Sequence, residues 1–292
     1  MSVESILFIG ATIIVMLVVA RFLNQAMMKT NLTAVITEED SIAPGIALSG
    51  YLFGVVQITT EVLTGEGSHN LLLDIGLIAL YGIGGILLLA LLSTVGIKVL
   101  HGIDYLDEIR KGNVAVGIMA AGRFIATSCV IAAAVSGENT GENPIAKETV
   151  GGTALASVVF FVIGQVSLIV LTRLFRLLTS YDDTKEILSG NVAAALSYAG
   201  LMIGIGIAVQ DGIKGEFIGY INGLLYYGKA MLVVLAFYPI RQFLVQGIVL
   251  GVGFSPYGGA LDKEISVDRN ISVGVIEATS YIATALLVTR LI

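Results

Sequence analysis

The chain has 292 residues, of which 56% are hydrophobic and 13% charged, with a formal net charge of −6. A soluble domain of this length could not hide so much apolar surface, and the acidic balance excludes a nucleic-acid binder, which needs basic patches. One cysteine, Cys129, and two histidines, His69 and His101, exclude an intrachain disulfide and speak against zinc chemistry.

The apolar residues come in continuous runs long enough to cross a hydrocarbon layer roughly 30 Å thick. They do not alternate with polar residues as barrel strands do, so the runs predict helices. In chain order the predicted spans are 5–24, 42–63, 70–98, 113–135, 151–178, 192–213, 217–246 and 271–291. Glu4 precedes the first run, and Arg21 follows it without a small-residue cleavage pattern. The first run is therefore read as a retained membrane helix. The third, fifth and seventh spans are long, which predicts tilt or extension past the bilayer. Pro239 is expected to kink the seventh.

Basic residues set the expected orientation. Eleven of them, from Arg21 and Lys29 through Lys98, Arg176 and Arg241 to Arg269, fall at or beside the loops after spans one, three, five and seven, against three (Lys147, Lys214, Arg290) on the opposite side. This positive-inside bias puts those loops in the cytoplasm and both termini outside. The outer loops are short and acidic, with Glu66, Glu138, Glu142, Glu148 and Glu216. The connectors YDDTKEILSG and IDYLDEIRKG read as short amphipathic or solvated stretches.

Every even-numbered span is one copy of a single pattern. The copies read SIAPGIALSGYLFG from Ser41, NVAVGIMAAGRFIA from Asn113, NVAAALSYAGLMIG from Asn191 and NISVGVIEATSYIA from Asn270, with starts 72, 78 and 79 residues apart. The chain is thus four two-helix units, all inserting in the same sense. The units pair into halves, 1–148 and 149–292, because Gly50, Gly54 and Glu61 match Gly200, Gly204 and Asp211 at a constant offset of 150. Counting from each copy's first residue, offsets two, nine and thirteen are small throughout: Ala43, Gly50, Gly54; Ala115, Gly122, Ala126; Ala193, Gly200, Gly204; Ser272, Thr279, Ala283. These positions fall within roughly 40° on a helix. Small stripes let membrane helices approach closely, so the four copies are expected to meet in a central cluster. Ser41, Asn113, Asn191 and Asn270 stand where N-caps belong, and attraction of an anion to four gathered helix starts is the functional alternative.

The N-x-A start followed by small residues and glycines, best seen in Asn113-Val-Ala-Val-Gly with Gly122 and Asn191-Val-Ala-Ala-Ala with Gly200 and Gly204, resembles the YjfL-like bacterial inner-membrane proteins, a family of unknown function numbered 350. The resemblance covers all four units, and the fourth departs from it at Thr279, Ala283 and Glu277. It implies an all-helical polytopic inner-membrane protein and carries no assigned activity. The association of some members with envelope-stress or polyamine-linked gene sets implies an assembly partner in such a system.

Charge inside hydrocarbon is costly and marks a functional hypothesis. Arg123, Lys229 and Glu277 lie at compatible depths and are expected to form one intramembrane cluster. It would serve as a structural ion pair, as a proton or ion relay with Glu277 titrating, or as the lining of a wet cavity. Near the outer end, Gln57, Glu61 and Asp211 share the angular stripe of the small residues. They would form the outer mouth of a cation pathway or simply reach the interface. No Walker A, G-x-S-x-G, H-E-x-x-H or paired-cysteine pattern is present, so an enzyme, a metal site and a cofactor are not expected. The function read from this is a channel or transporter for an ion or small solute along the inner seam. The alternative is a non-catalytic membrane scaffold. The expected partners are the lipid bilayer and either a second copy of the chain or another membrane protein.

Overall fold

Hydrocarbon offers no partner to a backbone N–H or C=O, so each crossing must close its own hydrogen bonds. A computed structural model of the chain describes residues 3–28, 32–38, 40–65, 70–136, 150–214, 219–255 and 257–290, and among them all regular structure is helical. Glu66, Glu138, Glu142, Glu148, Glu216, Lys29, Lys147 and His69 lie outside the described residues. Among the described residues, eight helices are long and apolar enough to cross a membrane.

The architecture is one unit repeated four times: a long outer helix, a short helix and an inner helix. The outer helices are α1 (Val3–Met28), α4 (Leu71–His101), α7 (Val150–Arg176) and α10 (Tyr220–Gln242). The short helices are α2 (Leu32–Thr37), α5 (Tyr105–Arg110), α8 (Asp183–Leu188) and α11 (Ala260–Ser266). The inner helices are α3 (Ile42–Thr64), α6 (Val114–Val135), α9 (Val192–Ile213) and α12 (Ile271–Val288). The connectors read as amphipathic or solvated, IDYLDEIRKG and YDDTKEILSG, therefore each hold a six-residue helix.

Each short helix runs directly into its inner helix. In the short turn between them, the residue just before the cap position is left-handed in all four units: Asp40 (φ 48°), Gly112 (φ 81°), Gly190 (φ 82°) and Arg269 (φ 50°). Glycine adopts this freely, whereas Asp40 and Arg269 bear a cost of roughly 1 kcal/mol. The next residue is the cap. Asn113, Asn191 and Asn270 each accept a hydrogen bond on Oδ1 from the backbone N–H three residues on, at 3.2, 3.1 and 3.4 Å. Ser41 departs from the expectation: its side chain makes no capping bond.

The inner helices pack as a row, α3–α6–α9–α12, rather than as a closed cluster. The spans of α6 and α9 are 78% buried, against 50% for α3 and 33% for α12, because the end members have a neighbour on one side only. Within the row the junctions are backbone-close. A methyl added at Gly50 would strike Ala121, one at Gly122 would come within 2.6 Å of Ala199, and one at Gly200 would strike Ala278. Gly54 faces Ser128, Gly204 faces the Tyr281 carbonyl and Gly206 faces Ala126. The small stripe is thus used at three junctions. The fourth copy corrects the expectation of a central meeting, since Ser272, Thr279 and Ala283 face outward. The outer helices lie over the junctions: α4 against α3 and α6, α7 against α6 and α9, α10 against α9 and α12.

Pro239 stays inside α10, lacking the N–H that would close a turn onto Leu235. The helix then widens into a π-helical segment over Phe243–Val249, which carries the span to Val249.

Overpacking a tight helix junction costs about 1–3 kcal/mol or more. Gly200→Leu and Gly122→Leu are therefore expected to lower the thermal stability of the detergent-solubilised protein. Gly84→Leu, where an added carbon meets nothing within 4 Å, should leave it unchanged. Equal effects at Gly84 and Gly200 would contradict the row.

Candidate functional site

The side of the row that carries the caps also carries a layer of buried charge, and α9 holds its centre. Glu277 on α12 is 4% exposed. One of its oxygens accepts from the Ser197 hydroxyl at 2.6 Å and the other from Arg241 Nη2 at 3.3 Å. Arg241 in turn donates to Ser280 Oγ at 2.9 Å and Gln242 Oε1 at 2.7 Å, and its guanidinium lies 3.5 Å over the Tyr281 ring. Beside this pair, Arg176 at the end of α7 makes a two-pronged ion pair with Asp183 on α8. It also lies over the rings of Tyr181 and Tyr198 at 5.2 and 5.5 Å. His101 Nδ1 bonds Thr184 Oγ1 at 2.7 Å while its ring meets Tyr198 edge-on. Asp262 on α11 accepts from the Ser180 N–H at 2.5 Å and from its hydroxyl at 2.8 Å.

Arg123 sits apart from the Glu277 pair. It is 1% exposed, its guanidinium fills the space left by Gly96 on α4, and it forms no ion pair among the described residues. Its Nε and Nη1 have no hydrogen-bond partner there. Offset ten of the four copies is Tyr51, Arg123, Leu201 and Ser280. Arg123 and the Ser280 contact of Arg241 therefore occupy equivalent places in units two and four.

The expected trio of Arg123, Lys229 and Glu277 does not assemble. Lys229 is exposed on α10 with its ammonium 5.6 Å from the Tyr226 ring. Depth placed it near Glu277, but its azimuth turns it away. Arg241 takes its role, held within the span by the π-helical extension. The outer group does come together in part. Gln57 accepts from the Ser128 hydroxyl at 2.8 Å and donates to Gln210 at 3.2 Å, bridging α3, α6 and α9. Glu61 pairs with Lys214 at the end of α9. Asp211 is half-buried in the field of Lys214 and Arg290.

The caps do more than close helices. The Asn113 amide donates to the carbonyls of Ile187 and Leu188 at 3.3 and 3.1 Å, and that of Asn191 donates to the Ile265 carbonyl at 2.8 Å. Each cap thus holds the short helix of the following unit. Both Asn191 and Asn270 also donate to a glutamate of their own unit, Glu186 and Glu264. A signal in the sequence would have found this: Glu-Ile recurs at Glu108-Ile109, Glu186-Ile187 and Glu264-Ile265, with the isoleucine four or five residues before each cap. All three isoleucines are fully buried.

A family model described as Domain of Unknown Function (DUF350) matches residues 2–135, 70–156 and 149–292. The chain belongs to the DUF350 family. A relative from Aquifex aeolicus (strain VF5), named a UPF0719 transmembrane protein, is 24% identical over 191 residues, covering 64% of each chain. The match therefore spans less than two thirds of that relative's length. No solved structure matches. Family, relative and helix lengths agree on a multi-pass integral membrane protein.

Between α9, α10 and α12 lies an open cleft with a cavity of only about 40 Å³, lined mainly by apolar side chains such as Leu201, Ile205, Val234 and Tyr281, with Arg241 at its edge. Every donor of Arg241 that faces it is engaged as described. Among the described residues no cluster of histidine, cysteine or carboxylate could hold a metal ion.

Removing one member of a buried ion pair leaves an uncompensated charge, at a cost of about 3–5 kcal/mol. Arg241→Met is therefore expected to destabilise the fold strongly, and Arg241→Met with Glu277→Met to destabilise it less than that single change. A double variant as unstable as the sum of both singles would show the two residues to be uncoupled. Burial raises the Asp262 carboxyl above its usual range, with the Ser180 bonds opposing and Glu277 adding to the rise. A raised acid favours the fold below its ordinary value of about 3.9, and that contribution is lost as pH climbs through the folded value. Asp262→Asn is thus expected to lose less stability than the parent as pH rises above about 4, read from thermal denaturation series.

Proposed function

We propose that the protein is a non-catalytic integral scaffold of the bacterial inner membrane, with the capped side in the cytoplasm and both termini outside. The carrying observation is the inner row itself. Glycine-to-alanine contacts at three successive junctions leave no room for a solute between those helices, while nearly all of the buried charge is spent internally. Glu277 with Arg241 ties α12 to α10 and Arg176 with Asp183 ties α7 to α8, each within one unit, and the Ser197 hydroxyl on Glu277 joins the third unit to the fourth. Arg110, Lys111, Lys185, Lys263 and Arg269 gather on the capped side, which supports the orientation.

Transport is the second reading, and one observation favours it: Arg123 is a deeply buried cation with no acidic partner among the described residues. Flux through liposomes separates the two. The purified chain is expected to leak potassium ions and protons no faster than empty vesicles. A flux that Arg123→Gln or Glu277→Gln abolishes would overturn the scaffold reading.

A further inference from the structure

The three inner junctions are one interface used repeatedly. Offset nine of one helix meets offset eight of the next at all three junctions, offset two meets four at the first and third, and offset thirteen meets fifteen at the first and second, while Gly204 at the third meets Tyr281 at offset eleven. Ala43 lies against Gly117 and Ala193 against Gly274; Gly50, Gly122 and Gly200 lie against Ala121, Ala199 and Ala278; Gly54 lies against Ser128. Such a contact joins unlike faces, and so it has a free face at each end of the row. At one end are Ser272, Thr279 and Ala283 of α12, all exposed. At the other are Gly45, Ser49 and Val56 of α3; Ser49 and Val56 are exposed, and Gly45 has nothing within 4 Å of the place a Cβ would take.

Two further features stop at the same ends. Outer helices α4, α7 and α10 each rest on two inner helices, whereas α1 rests on one inner helix, α3, and on the outer helix α4, and only 11% of its span is buried. The caps Asn113 and Asn191 each donate to a carbonyl of the next short helix, whereas Asn270, among the described residues, donates only to Glu264 of its own unit. In the repeat, the group that Asn270 lacks corresponds to the end of a following α2.

We propose that a second copy of this chain docks head to tail, its α3 lying on the outward face of α12 and its α1 covering the new junction. The helix faces alone would not identify the occupant; the continuation of an interface already formed three times within the chain does. Copies inserted in one membrane share one orientation, as this parallel contact requires. The inference deepens the scaffold reading and rests on it by naming what the scaffold joins.

The repeat pairs offset nine with offset eight, so Thr279 of one copy should oppose Ser49 of the next. The test uses the full chain in membranes, with Cys129→Ala, Ser49→Cys and Thr279→Cys together, oxidised and run without reductant. A reducible ladder of dimers and larger species is expected, and each single-cysteine variant should stay largely monomeric. Dimers from Ser49→Cys alone would point to a two-fold contact and overturn the proposal, as would cross-links solely to other proteins. The parent's mass in lipid nanodiscs or mild detergent is the second measurement. Multiples of 30.6 kDa are expected, reduced by Thr279→Trp and not by Gly84→Trp. A monomer at all concentrations, with no ladder, would sink the proposal. Ion flux is measured separately, so a self-assembling protein that conducts would fail the scaffold reading without failing this one.

Discussion

The structure depends on how near two helix backbones can come in a solvent that supplies no hydrophobic push. Lipid tails are as apolar as leucine, so inner helices are held by van der Waals contact, which decays within a fraction of an ångström. Gly50, Gly122 and Gly200 place backbone against Ala121, Ala199 and Ala278, and everything else is arranged at that spacing. The Tyr198 ring at the centre of the charged layer, the ion pair of Glu277 with Arg241 and the bridge from Gln57 to Gln210 all span helices already brought together.

A second set of ties acts at the capped side. There Asn113 and Asn191 each cap a helix start with Oδ1 and grip the neighbouring unit with Nδ2, so one side chain begins a helix and sets the register of the next unit. The buried pair of Arg176 with Asp183 fastens α7 to its own short helix. An ion pair in such a place contributes little net stability relative to apolar packing, but separating it is expensive. Its effect is to forbid alternative arrangements of similar helices, which a chain of four look-alike units would otherwise sample.

The eight spans, the fourfold repeat, the asparagine caps and the stripe at offsets two, nine and thirteen were all legible, because hydrophobic length and helical period are properties of single segments. The complementary stripe was not. Ala121, Ala199, Ala278 and Ser128 look like ordinary helix residues until a glycine is set against them. Lys229 was misplaced for a related reason: α10 is apolar nearly all round, so depth can be read from it and azimuth cannot. Arg241 falls inside the predicted seventh span but counts there only among the basic residues beside the following loop, and nothing in the local pattern sets it against Glu277 or announces the π-helical turn beyond it. The short helices are not legible as helices because segments of six or seven residues carry too little periodicity. Their Glu-Ile repeat was visible only once the units were aligned past the cap.

Each unit crosses the bilayer twice and greets its neighbour with the same pair of faces. Adding or deleting a whole unit would therefore flip neither terminus and would demand no new complementary surface. Chain length in such an architecture is free to drift by duplication in steps of two crossings, with the two ends always emerging into the same compartment.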